Sequence, residues 1–344
     1  MTPQVRLFGV AMLAAVAIGC GAGGSDVGST VASQTGCPSG TAPLQPRMLG
    51  QGLFSGLDLT GGSALATGTV LQRFSLTGDP ALTLTQASDM RGLVVVGQTA
   101  YFTADHPVGV PNAESKQSST TALYSVPLAG GAATLVLDMP FNIDGAVTDG
   151  TAIYFSGYGG GIVRVVVVDA SQSTLSLARS LEVNAIAVHD GVVYVAATDL
   201  GSASPTNGTI VAIPATGGSA RTVLANIGHP WNLVAAASGL YWVEDPPVGT
   251  FGDGHVSGAG LDGSGVRTLM LHGARALALD GGYLYFAWDI IGKVPVAGGQ
   301  ETTLVPGLKA PGLLTVSAGN AAWVDPVVLA LSDPTVPSLM TTCW

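Results

Sequence analysis

The chain has 344 residues, 47% of them hydrophobic and only 10% charged, so it holds ample material for a large core and little for an ionic surface. A formal charge of −10, with 12 Lys and Arg scattered along the sequence, argues against nucleic acid, whose phosphates call for clustered cations. With 49 Gly and 20 Pro, and no convincing amphipathic helix beyond residue 20, short Val/Ile/Leu/Tyr runs bounded by Gly, Asp or Pro read as strands of an all-β protein.

The chain opens MTPQVRLFGVAMLAAVAIGC, with one positive residue, Arg6, ahead of an apolar run from Leu7 to Ile18. That run is short for a membrane span and fits the apolar region of a secretory signal peptide. It ends in Ala17-Ile18-Gly19-Cys20, which resembles the bacterial lipobox, with Ala17 in place of the usual Leu. The resemblance implies diacylglyceryl transfer to the Cys20 thiol, removal of residues 1–19 and anchoring in a bacterial cell envelope, at the outer membrane in a Gram-negative cell. An ordinary signal peptide with a nearby cysteine is the alternative. Residues 20–47 then form the lipidated Cys and a Gly/Ser-rich tether that lacks the apolar content for a core. With Cys20 lipidated, Cys37 and Cys343 remain, an even number in an exported chain, and a disulfide between them is expected, with two unpaired thiols as the alternative. It would close a loop of about 300 residues, for which chain entropy gives about 5 kcal/mol.

Residues 48–344 repeat themselves. A Gly turn followed by a short aromatic strand occurs in DGTAIYFSG (149–157), HDGVVYVAA (189–197), SGLYWVEDP (238–246) and DGGYLYFAW (280–288). Seven units align, with second strands centred near Leu65, Tyr101, Tyr154, Tyr194, Tyr241, Tyr285 and Ala322. The first unit, LDLTGGSALA (57–66), lacks the aromatics, and the last, SAGNAAWVD (317–325), keeps only Trp323. The mean spacing of about 43 residues is the length of a four-stranded β-propeller blade. Each unit reads as an inner strand such as ARALALD, the aromatic strand, a third strand carrying Val-Pro or Ile-Pro, a Gly-Gly turn, and a fourth strand such as TTLVPG. Proline inside a strand suggests an edge or outer position. The expected fold is a seven-bladed propeller of four-stranded antiparallel blades, with six blades as the alternative.

SGLYWVEDP together with GAGLDGSGVRTLML (258–271) resembles the YWTD-type repeat. The wider pattern DG…YF…VP…GG…TL is similar to TolB-like propellers of bacterial lipoproteins, over residues 48–344. This resemblance implies a fold. It implies no activity, because propellers host binding proteins and enzymes alike.

Motifs that carry chemistry are few. No G-x-S-x-G, H-E-x-x-H or zinc-type Cys cluster occurs, and no cofactor is expected. GAGLDG (258–263) matches G-x-G-x-x-G only formally, since it lies between strands with no helix after it. Asp105, Asp199, Asp245, Asp289 and Asp325 each follow a second strand, where local turn capping explains their recurrence and a converging cation site is the alternative.

Position is more informative than motif. In a four-stranded blade the second-to-third loops and the blade-to-blade links emerge on the same face. The longest inserts, 103–121, 197–209 and 243–256, are second-to-third loops. Inner strands should open at the channel mouth with Asn142, Asn184, Asn232 and Arg275, with Arg91 one place off register. These four, with His106, His229, Trp231 and Asp245, form the candidate ligand-binding set; hydrogen bonding of the Asn side chains to neighbouring blades is the other role open to them. The expected function is a non-enzymatic, membrane-tethered monomer binding a protein, glycan or envelope component through this face, touching membrane through its lipid alone. The alternative is a propeller lyase or hydrolase with a metal or a His/Arg group at the mouth.

Overall fold

The computed structural model describes residues 46–51, 54–77, 79–87, 89–105, 121–157, 161–202, 204, 206–245, 254–308, 311–325 and 338–343. These residues form 28 strands and no helix. The strands make seven separate four-stranded antiparallel sheets. Six sheets are built from consecutive strands, over residues 56–86 (blade 1), 91–138 (blade 2), 143–175 (blade 3), 181–227 (blade 4), 229–270 (blade 5) and 276–305 (blade 6). The first strand of each blade touches the first strands of both neighbouring blades, so seven first strands surround one axis. The protein is a seven-bladed β-propeller, and all seven second strands fall where the repeat puts them.

Blade 7 closes the ring with strands from both chain ends. Its first three strands are Leu314–Ser317, Asn320–Asp325 and Ser338–Cys343, and its outermost is Arg47–Gln51. Arg47 lies opposite Thr341 and Gln51 opposite Ser338. The closing strand was not legible in RMLGQ, which has no alternation of apolar and polar residues.

The recurring aromatic pair is explained by the seams between blades. A sheet sends successive side chains to opposite faces, and in a propeller each face of a blade meets a different neighbour. Tyr154 packs with Val193, Val195 and Val211 of blade 4, whereas the next residue, Phe155, packs with Leu123 of blade 2. Tyr241 joins Leu277 and Phe286 of blade 6, while Trp242 joins Tyr194 and Ile210 of blade 4. Seven buried clusters result, one per seam, and each draws on two adjacent blades. The degenerate terminal units keep the rule with other residues: Leu65 faces blade 2, Ala322 faces blade 1 and Trp323 faces blade 6.

The prolines require a correction. Pro127, Pro214 and Pro295 lie on third strands, as the repeat predicts, but at their ends and not at an outer edge, since each third strand is interior to its blade. Each carbonyl accepts a hydrogen bond from the N–H of the glycine three residues on, at 2.9 Å in all three blades. The two glycines that follow have φ between 88° and 143°, a region closed to most side chains, so Gly-Gly is needed there. Proline is tolerated because it sits where the ladder stops.

Polar stitches reinforce the apolar seams. Arg73 donates to the Leu128 carbonyl at 2.7 Å across the blade 1–2 seam, and Arg267 donates to the Val296 carbonyl at 2.6 Å across the blade 5–6 seam. Asp58, on the first strand of blade 1, accepts from the Val95 N–H of blade 2 at 2.9 Å. Burial raises the Asp58 carboxyl to about 6, against the pull of the Val95 and Leu59 hydrogen bonds. A carboxyl whose pKa rises on folding favours the folded state while protonated. That contribution is complete below about pH 4 and disappears as pH rises through about 6, a change of about 3 kcal/mol. Asp58→Asn keeps an acceptor for Val95. It should match the wild type in urea unfolding at pH 4 and exceed it at pH 8 by up to about 3 kcal/mol, with a flatter pH profile between.

Candidate ligand-binding face

First strands run away from one face and second strands return to it. The second-to-third loops and the blade-to-blade links therefore gather at one end of the axis, which we call the mouth. The other end, the turn face, carries short hairpin turns such as Gly61-Gly62, Asp190-Gly191 and Gly281-Gly282, with positive φ at both central residues. Strand bounds place long second-to-third connections at the mouth after Asp105, Asp199 and Asp245, as expected, and a fourth after Asp325. Sequence reasoning missed that fourth insert because VVLALSD (327–333) itself looks like strand. Residues 106–120, 246–253 and 326–337 lie outside the described residues, and His106 with them.

The first strands of four consecutive blades are irregular where they leave the mouth. Register shifts occur between Arg91 and Val94, Ile143 and Gly145, Val183 and Ala185, and Trp231 and Val234. The first strands of blades 1, 6 and 7 pair without interruption. A bulge inserts residues unmatched by the partner strand and re-aims their side chains. Here it displaces Asp144, Asn184 and Asn232, the last with φ 54°, while in blade 2 it falls at Gly92, which has no side chain and packs against Ile143 and Ala146. An arc from blade 3 to blade 5 thus places polar residues at the mouth that a regular strand would not.

The four predicted inner-strand residues do share this end of the axis. Asn142 precedes its strand, and its Oδ1 accepts from Thr121 at 3.2 Å. Asn184 donates to Thr198 Oγ1 at 2.9 Å and to the Pro230 carbonyl of blade 5 at 3.0 Å. Asn232 donates to the Arg275 carbonyl of blade 6 at 2.7 Å. The amides of Asn184 and Asn232 are therefore engaged in stitching blades 4, 5 and 6. The Arg275 guanidinium lies 5.2 Å from the centre of the Trp288 ring. Asn184→Ala is accordingly expected to lower stability by about 1–3 kcal/mol by urea unfolding, because two acceptors lose their donor. Arg275→Ala, removing a side chain with no such bond across a seam, should leave the unfolding midpoint nearly unchanged.

His229, Trp231 and Asp245 come together on blade 5. The Trp231 indole N–H donates to Asp245 Oδ1 at 3.1 Å, and His229 Nδ1 lies 3.8 Å from Asp245 Oδ2. That nitrogen is buried without a hydrogen-bond partner, although the His229 side chain as a whole is 37% exposed. On the opposite face of the same strand, Glu244 accepts from the Trp242 indole at 2.9 Å and sits 3.4 Å from His255 Nε2. Glu244, His255, Asp144 and Trp288 were not singled out from sequence as site residues, although Glu244 and Trp288 lie in the repeat segments SGLYWVEDP and DGGYLYFAW; strand register brings all four to the mouth.

The blade 2–3 side of the mouth is acidic. Burial raises the Asp105 carboxyl above its ordinary value, Asp89 adds repulsion, and Arg91 offsets part of both. Partial burial likewise raises Asp144, again offset by Arg91. The recurring acids do not act alike: Asp199 caps its own turn by accepting from the Gly201 N–H at 2.9 Å, whereas Asp245 is tied to Trp231. Among the described residues no group of three or more His, Cys, Asp or Glu is placed to hold a metal ion. GAGLDG forms a turn between strands, with the Gly263 N–H bonded to the Gly260 carbonyl at 2.9 Å. Cys20 and Cys37 lie outside the described residues, whereas Cys343 ends the third strand of blade 7, opposite Asn320.

No family model matches the chain, and no curated protein matches it. Solved structures do. The chain is similar to the computationally designed Ika8 protein at 12% identity and a TM-score of 0.57, over 83% of each chain. It is similar to an oligogalacturonate lyase in complex with manganese at 11% identity and a TM-score of 0.57, covering 82% of this chain and 86% of that one. A putative TolB from Agrobacterium tumefaciens matches at 16% identity and a TM-score of 0.47, over 65% of this chain and 84% of that one. For the two structures at a TM-score of 0.57 the likeness is one of fold.

Proposed function

We propose that the protein is a lipid-anchored, extracytoplasmic propeller that binds a protein, glycan or other envelope component at its mouth. The observation that carries this reading is the one-sided build of the ring. Long inserts, inner-strand bulges and the His229–Trp231–Asp245 cluster all lie at one end, while the other end is closed by short turns. Bulges interrupt a ladder at a cost in backbone pairing, and they recur beside functional sites because they re-aim side chains. The anchor rests on the lipobox-like Cys20. Cys20→Ala should shift the protein from the detergent phase to the aqueous phase, and unchanged partitioning would remove the anchor from the account.

A second reading has its own support. A His whose Nδ1 faces a carboxylate can exchange a proton through its other ring nitrogen, so the His229–Asp245 pair suits acid–base catalysis at the mouth. A ligand consumed on binding, with loss of turnover in His229→Gln, would favour this lyase or hydrolase reading over simple binding.

A further inference from the structure

We propose that the turn face is the membrane-proximal face, so that the mouth is presented away from the anchoring bilayer and its partner comes from the surrounding compartment. This rests on the Cys20 anchor proposed above. The orientation follows from the closing strand. Gln51 pairs with Ser338, which begins its strand at the mouth, and Arg47 pairs with Thr341 near that strand's other end. The chain therefore reaches Arg47 from the turn face and leaves Gln51 at the mouth, where blade 1 begins. Cys343 also ends on the turn face. Both ends of the propeller are on the side opposite the inserts.

The tether's reach makes the placement matter. A Gly/Ser-rich segment of the length between Cys20 and Pro46 spans about 30 Å. Strands of four to nine residues, most of them five to seven, make the ring about 20 Å tall. Turning the mouth to the membrane would require the tether to climb the outside of the ring and then pass between mouth and bilayer, stretching it beyond that relaxed, root-mean-square distance towards its extended length of about 90 Å, at a cost in chain entropy.

The turn face carries charge of both signs and so offers anionic lipid no uniformly basic surface to lie on. Its hairpins carry Asp79, Asp149, Asp169 and Asp262, each accepting hydrogen bonds from residues of its own turn or the strand beside it. Exposed Arg221 and Arg267 begin fourth strands at the same face, interspersed with these carboxylates, so the tether holds this face near the membrane and the mouth stays free.

The test uses the full lipidated chain in vesicles of phosphatidylethanolamine and phosphatidylglycerol containing headgroup spin-labelled lipid. A small bioorthogonal fluorophore is placed at Val168 on the turn face or, separately, at Leu271 at the mouth, both 90% exposed. Val266 and Leu200 make a second pair on the same two faces, used if either first site disturbs folding. The turn-face probe should be quenched roughly two-fold or more strongly than the mouth probe, given a separation near the height of the ring. Equal quenching, or stronger quenching at the mouth, in protein that floats with the vesicles overturns the orientation and leaves the anchor standing. A wild-type chain without an acyl group, remaining in the aqueous phase, overturns the anchor and the orientation with it.

Discussion

Deleting residues 46–51 is expected to abolish cooperative unfolding and leave a chain that self-associates. These residues supply the outermost strand of blade 7, paired with Ser338–Cys343. Without them that strand becomes an open edge, a template for pairing with other chains. Leu49 would also leave the seam where Phe54, Leu59 and Phe74 meet Val324 and Leu339. The loss is larger than one blade's share, because closure holds the first and last blades at a fixed separation and every other seam depends on that ring. Chemical denaturation followed by tryptophan fluorescence, with light scattering alongside, reads both effects. A truncated chain that stays monomeric with an unchanged midpoint would show that the ring does not depend on its closing strand.

Trp242→Ala should destabilise the protein by about 3–5 kcal/mol, the range for emptying a large aromatic site in a packed core. Trp242 is fully buried and fills the blade 4–5 seam against Tyr194, Ala196 and Ile210. Its indole N–H also supplies a bond to Glu244, so truncation strips a partner from a carboxylate that is mostly shielded from water. Trp242→Phe should cost less, because most of the volume remains and only the indole bond is lost. Midpoints from urea titrations, with the slope checked for constancy, separate the two variants. Near-equal effects would mean that the hydrogen bond, and not the packing, dominates at this position.

The fold was legible because each seam poses the same physical problem seven times. A residue facing one neighbour and the next residue facing the other produce pairs such as Tyr154-Phe155 and Tyr241-Trp242, and these survive in the sequence as a visible period. Turn chemistry was legible for a similar reason, since Gly217-Gly218 and Gly298-Gly299 occupy backbone conformations that few other residues adopt. The closing strand was not legible. Its partner lies about 290 residues away, and Arg47–Gln51 shows no amphipathic alternation. The same holds for the bulges: a single extra residue such as Asp144 or Asn184 leaves composition unchanged and shifts only the pairing. The position of Asn184 and Asn232 at the mouth could be read by counting back from the turn glycine. Their bonds to Pro230 and Arg275 could not, because those acceptors are backbone carbonyls that any residue would supply.

The central claim is that partners meet the protein at the mouth, and site-specific photo-crosslinking in cells tests it most directly. A photoreactive amino acid at Leu200 or Leu271 samples the mouth, and one at Val168 or Val266 samples the turn face. The account predicts a discrete crosslinked species from the mouth positions, diminished by Trp231→Ala in a protein that remains folded, and none from the turn face. A partner captured from Val168 or Val266, with the mouth positions silent, would contradict it.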